Sequence, residues 1–194
     1  MSNTHGHLPK AERAQLPAEL QQRLAAWTTK ASTDDNVFLT LARSPGVLEL
    51  FVHWAAFMYT GVSRLEPSIM ERCRLRLAAR NHCVHGSLAR SASLMRKGLS
   101  EAQVEAALGD LDRVDLPATT MAALRLVDLL SAPHPVIDTA TYQRLREHLD
   151  DHELLELGAA LSVASGWQRF IEACGIRPDS WTEALPLPWQ EGAL

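Results

Sequence analysis

The sequence predicts an all-α protein of one domain, and three observations carry that prediction. Helix-start residues recur along the chain, the apolar segments between them have helical length, and strand-like punctuation is almost absent. A length of 194 residues is enough for one core and does not demand two.

The elements follow in order. Pro17 opens a helix from Ala18 to Thr29, because proline's fixed φ and missing N–H cost nothing in a first turn. Ser44 and Pro45 repeat that arrangement before "GVLELFVHWAAFMYTG", a segment with so few polar positions that it must be covered on nearly all sides. Pro67 and Ser68 start the next helix, to about Arg80. Asn81 is predicted to cap a fresh helix that runs to Lys97, with Gly98 as the residue that ends it. Ser100 and Gln103 form a capping box for a short helix. Pro117 opens a helix to about Leu130, Asp138 caps one to about His148, and Asp150 with Glu153 boxes a last long one that stops at Gly175. The organisation expected is a flexible N-terminus over 1–16, a helical domain over 17–179, and an irregular arm over 180–194 containing prolines and tryptophans.

Composition narrows the function classes. A formal charge of −4 and a pI near 6.0 leave no general basic footprint for nucleic acid. Three dispersed cysteines, Cys73, Cys83 and Cys174, make no disulfide framework and no CxxC zinc spacing. With no secretory leader pattern and no run of 18 apolar residues, the expectation is a cytoplasmic protein that binds no membrane, no metal and no organic cofactor.

Chemistry concentrates in "NHCVHG", residues 81–86. If Asn81 caps a helix, Cys83 lies in its first turn, where unpaired N–H groups and the helix dipole favour a thiolate; that makes Cys83 the most reactive of the three thiols. His85 flanks it, or hydrogen-bonds Glu71. Glu71 precedes Cys83 by twelve residues, about 18 Å along one continuous helix. Joint action therefore requires a break at Asn81 or a shared water. Blander readings stand beside these. Cys83 and Cys174 are small core residues, Glu71 is a favourable early helix residue, and Arg72, Arg74, Arg76 and Arg80 form a solvated or salt-bridged face. His53, Trp54, Phe57, Met58 and Tyr59 line the core, and Arg90 is an ion-pair partner.

The runs "NVFLTLARSPGVLELFVHWAAFMYTG", "MERCRLRLAARNHCVHGSLARSASLMRKGLSEAQVEAAL" and "ASGWQRFIEACGIRPD" resemble the carboxymuconolactone decarboxylase and alkylhydroperoxidase D family, over roughly residues 36 to 179. The resemblance implies an alkylhydroperoxidase D-like helical bundle that assembles as a homo-oligomer, as a trimer, hexamer or dimer. In the peroxidase branch the motif is a glutamate, then twelve residues later Cys-x-His-Cys, with a further histidine four positions on. Glu71, Cys83 and His85 match it; Gly86 stands at the second cysteine and Arg90 at the distal histidine.

That second cysteine attacks peroxide in the peroxidase branch, so the two-thiol cycle cannot run here unchanged. Three readings remain. The first is an antioxidant thiol oxidoreductase, a peroxidase in which Cys83 alone reduces hydroperoxides, Glu71 and His85 relay protons, and an external thiol is the reductant. The second is a redox-inactive lyase or isomerase in which Glu71 and His85 act on a small carboxylated lactone held by Arg90. The third is a non-catalytic protein that binds small ligands or serves assembly.

Overall fold

The computed structural model describes residues 6–30, 32, 34–59, 62–133, 137–183, 185 and 187–189. In chain order these form α1 (Ala18–Lys30), α2 (Asn36–Leu41), α3 (Pro45–Tyr59), α4 (Pro67–Arg80), α5 (Val84–Leu88), α6 (Ala92–Arg96), α7 (Glu101–Leu108), α8 (Ala118–Leu130), α9 (Thr139–Arg146) and α10 (Asp151–Ala173); a 3-10 turn at Arg13–Gln15 precedes them, and the described residues include no strand.

The bundle is built around α4. Ten consecutive residues, Ile69 to Ala78, are buried there, with α3, α5, α7, α8 and α10 packed against the helix. A helix covered on every side must find internal partners for its charges, because an unpaired buried charge is costly. One core holds Met58, Met70, Leu77, Leu124, Leu157 and Leu161. A second holds Phe38, Leu48, Cys83, Ile171 and Phe51, whose ring lies 5.2 Å from Trp27, 5.4 Å from Trp54 and 5.1 Å from Trp167. Each fully buried side chain of this size contributes about 1.5–3 kcal/mol.

Most helix starts lie where local chemistry puts them. The Ser100–Gln103 and Asp150–Glu153 boxes both close, Asp138 accepts from the Thr141 amide, and Gly98, at φ 102°, follows the end of α6. Helix α2 carries no such signal and was not expected: Asp35, at its start, makes no side-chain capping bond. At the chain ends, the His7 amide donates to the Cys174 carbonyl at 2.7 Å, and the Trp189 ring stacks on His82 at 4.9 Å.

The helix expected from Asn81 to Lys97 starts three residues late, after the break that ends α4, and is then broken once more. Asn81 ends α4 rather than starting α5, and His82 turns the chain at φ 52°. Cys83 is itself the cap of α5. After Leu88, Ala89 and Ser91 are extended. Arg74 explains the second break: its guanidinium donates to the carbonyls of Gly86 at 2.7 Å and Ala89 at 2.8 Å, and Glu71 takes the Ser91 amide at 2.9 Å. Backbone groups that a continuous helix would pair with each other are paired instead by side chains of α4.

Candidate functional site

The break at residues 81–83 brings the α4 residues beside α5 without a continuous helix between them. Glu71 is fully buried and accepts four donors: Tyr59 Oη at 2.8 Å, Arg74 Nε at 2.7 Å, Arg74 Nη2 at 2.9 Å and the Ser91 amide. Both carboxylate oxygens are thus engaged. Burial opposes the charge on Arg74, but Glu71, Tyr59 and Cys83 together outweigh it and raise the guanidinium above its usual range. Burial likewise pushes the Tyr59 phenol up.

Cys83 is also fully buried. Its Sγ accepts from the Gly86 amide at 3.4 Å, which makes the thiol the cap of a five-residue helix. Burial pushes the thiol up to about 11, outweighing the smaller opposite pulls of the Gly86 amide, Arg74 and Arg177. Cys73, in the core of α4, is pushed up by burial to about 12, and the partly exposed Cys174 is raised by burial as well. The helix-start effect expected for Cys83 is therefore present and smaller than desolvation.

His85 does not reach Glu71. Its Nε2 lies 2.9 Å from Asp34 Oδ1, both side chains nearly buried. Burial raises the Asp34 carboxyl, but His85 and the amides of Asp179 and Asn36 together hold it below the ordinary carboxylate range. Arg90 is not on one helix with Cys83, since α5 ends at Leu88. Its Nε and Nη2 donate to Glu101 at 3.1–3.3 Å and its Nη1 to the Ser87 carbonyl at 2.6 Å, so the carboxylate it holds belongs to the chain.

Gly86 is glycine for reasons of space. A Cβ there would lie 2.9 Å from Ala78 Cβ and 3.2 Å from Cys83 Sγ, closer than side-chain carbons pack. Tyr59, Arg74, His85, Gly86 and Arg90 border a narrow cavity of about 50 Å³ walled by Trp27, Phe51, Trp54 and Trp167. Trp27 and Tyr59 also border a wider, apolar cavity of about 540 Å³.

Sequence reasoning missed Arg74, Tyr59 and Asp34 as site residues. Arg74 was findable, three residues after Glu71 at ion-pair spacing on a helix; Tyr59 was read as core, and nothing local singles out Asp34. Among the described residues, no three His, Cys, Asp or Glu side chains converge as a metal site, and no helix is long and apolar enough to cross a membrane.

No protein-family model and no curated protein matches this sequence significantly. Solved structures do. An alkylhydroperoxidase AhpD core protein of Ralstonia eutropha, called an uncharacterized peroxidase-related protein, superposes with a TM-score of 0.75 at 24% identity, over 92% of this chain and 95% of its own. A peroxidase-related protein from a Silicibacter species gives 0.72 at 16% identity, over 92% and 94%. The debrominase Bmp8 gives 0.72 at 13% identity, over 93% and 94%. With the helix order and the buried α4 described above, these likenesses establish that the chain has the alkylhydroperoxidase D-like fold.

Proposed function

We propose that the protein is a thiol oxidoreductase that reduces small hydroperoxides through Cys83 alone. The observation that carries this reading is convergence: Tyr59, Arg74 and His85 border one cavity with Gly86, whose amide is bonded to the Cys83 sulfur. Cys83 thiolate attacks the distal oxygen of ROOH, the O–O bond breaks, and the leaving alkoxide takes a proton to give ROH and a sulfenic acid. One external thiol converts the sulfenic acid to a mixed disulfide and water. A second releases Cys83 as thiol and leaves with the first as a disulfide. His85 with Asp34, and Glu71 through Tyr59, are the groups placed to move protons, and Arg90 lies at the cavity edge.

The test is mass spectrometry of each cysteine after stoichiometric hydrogen peroxide or cumene hydroperoxide, with turnover followed under excess monothiol. Sulfenic acid on Cys83, and loss of turnover in Cys83→Ser, are expected. Because thiolate is the nucleophile and burial holds the thiol near 11, turnover should rise about tenfold per pH unit from pH 7 to 9. Oxidation of Cys174 alone rejects the reading.

Two observations favour a second reading, a non-catalytic small-ligand protein: the four donors that fill Glu71, and the burial of Cys83. The lyase reading has less support, since Glu71, His85 and Arg90 are all held by internal partners. A cysteine-to-alanine variant of Bmp8 has been solved with 2,3,4-tribromopyrrole, and the tryptophan walls here suit a small flat ring. That compound belongs in the substrate panel, and its binding without turnover would select the second reading. We also read the chain as a homo-oligomer, supported by exposed Leu155, Val163 and Phe170 on one helix; sedimentation of a stable 21.4 kDa species at micromolar concentration counts against it.

A further inference from the structure

Helices α1, α3 and α6 each contribute residues to the wider cavity of about 540 Å³, which shares Trp27 and Tyr59 with the narrow cavity bordered by Gly86. Its walls are apolar: Ala26 and Trp27 on α1, Phe38 on α2, and Val52, Ala55 and Ala56 on α3. The Tyr59 hydroxyl gives its proton to Glu71, so it offers this cavity no donor. Such walls are poor partners for water, and their extent suits an organic molecule with a large apolar body.

Polar side chains enter the lining only at Arg23, Ser93 and Lys97, and no carboxylate lines the cavity. Arg23 is already matched, because Glu49 takes both its Nη1 and Nη2 and Glu19 acts on it from farther away. Lys97 is different. It directly follows α6 and is exposed, and its ammonium makes no bond among the described residues. Being both exposed and part of the lining, it stands where the cavity opens to solvent. A lysine placed so lays its stem along the apolar wall and keeps its charge in water, where it attracts an anion.

We propose that this cavity binds an amphipathic monocarboxylate, with its apolar body against Trp27, Phe38, Val52 and Ala55 and its carboxylate at Lys97. Resting on the reading of Cys83 as a peroxide-reducing thiol, this names the substrate as a hydroperoxide carried on such a body; the binding itself requires no reaction at sulfur. A cation of the same shape would be repelled by Lys97, a neutral one would lose the attraction, and a small acid would leave the walls uncovered.

The test is calorimetric titration of the full chain, and of its Cys83→Ser variant, with octanoate, cinnamate, octanol, octylammonium and acetate. Saturable binding is expected for octanoate or cinnamate, about tenfold or more tighter than for acetate, which has no body to bury. Octanol and octylammonium should bind about threefold or more weakly than octanoate. Lys97→Glu should erase the preference for octanoate over octanol, and because Lys97 is exposed that variant keeps the fold. Ala26→Trp, also at an exposed position, places a ring in the cavity and should abolish binding of every probe. Cys83→Ser should bind octanoate as the native chain does, so binding that persists where Cys83 proves unreactive upholds the cavity and rejects only the thiol chemistry. Absence of saturable binding overturns the proposal. So does octanol or octylammonium binding as tightly as octanoate, or octanoate binding that survives Lys97→Glu or Ala26→Trp unchanged. If no probe binds and Ala26→Trp turns an oligomer into a 21.4 kDa species on sedimentation, a second copy covers the cavity and the proposal falls.

Discussion

Arg72 and Arg74 lie two residues apart on α4 and are equally buried, each 7% exposed, yet they do opposite things. Arg74 meets a carboxylate and two carbonyls at the point where the chain stops being a helix, and all of its charge is used to hold that break. Arg72 meets two neutral oxygens directly, and Glu66 acts on it from farther away. Residue type, helix and burial are the same, so none of these explains the difference. What distinguishes them is contact: Glu71 touches the Arg74 guanidinium, whereas Glu66 acts on Arg72 without an ion pair.

Glu71→Gln should be the most damaging way to break this contrast. It leaves the Arg74 guanidinium buried beside a neutral amide, and removing one partner of a buried pair costs about 3–5 kcal/mol. A urea titration should show that loss, and replacing both residues by leucine should not recover it, because the Gly86 and Ala89 carbonyls and the Ser91 amide would be left unpaired. An unchanged midpoint for Glu71→Gln would mean that Arg74 is compensated elsewhere, and the contrast would fail.

Next in size is Gly86→Ala. Its added methyl would press on Ala78 and on the Cys83 sulfur, and overpacking of this kind costs about 1–3 kcal/mol. Ala78→Gly in the same chain should return part of the stability. The same obstruction governs a restored second thiol: Gly86→Cys should pair with Cys83 only with adjustment at Ala78.

Arg72→Met sharpens the comparison from the other side. It removes a charge that has no direct ion pair and two bonds to neutral oxygens, so the protein should lose about 1 kcal/mol, far below the effect at Glu71. A loss as large as that of Glu71→Gln would show that Arg72 has a direct counter-charge within the fold.

The smallest effect concerns Asp34 and His85, whose side chains meet at 2.9 Å. The Asp34 carboxyl is held below its ordinary range when folded, so its stabilisation is complete above the unfolded value and is lost as pH falls through the folded one. Stability measured from pH 6 down to 2 should therefore fall less steeply in Asp34→Asn than in the native chain. Identical slopes would leave the pair without a role in acid stability.

The helix starts were legible because capping is local. Ser100, Asp138 and Asp150 find their partners three residues away, and Pro17, Pro45, Pro67 and Pro117 act through their own rings, so a short stretch of chain contains the whole interaction. The all-α class followed from such spacing, whereas the grouping of Glu71, Cys83, His85 and Arg90 came from the motif resemblance. The sequence could not show that the helix after Asn81 breaks again at Ala89–Ser91, because the groups that satisfy those backbone atoms come from α4, up to 20 residues earlier. Nor could it show that His85 pairs with Asp34, 51 residues away, that Gly86 packs against Ala78, or that Arg72 alone of its row makes no direct ion pair among the described residues. Hydrogen bonds and ion pairs between distant segments exist only once packing has brought those segments together. The sequence by itself therefore determined the all-α class and most helix starts, and tertiary packing decided where the segment after Asn81 breaks and which charges are paired.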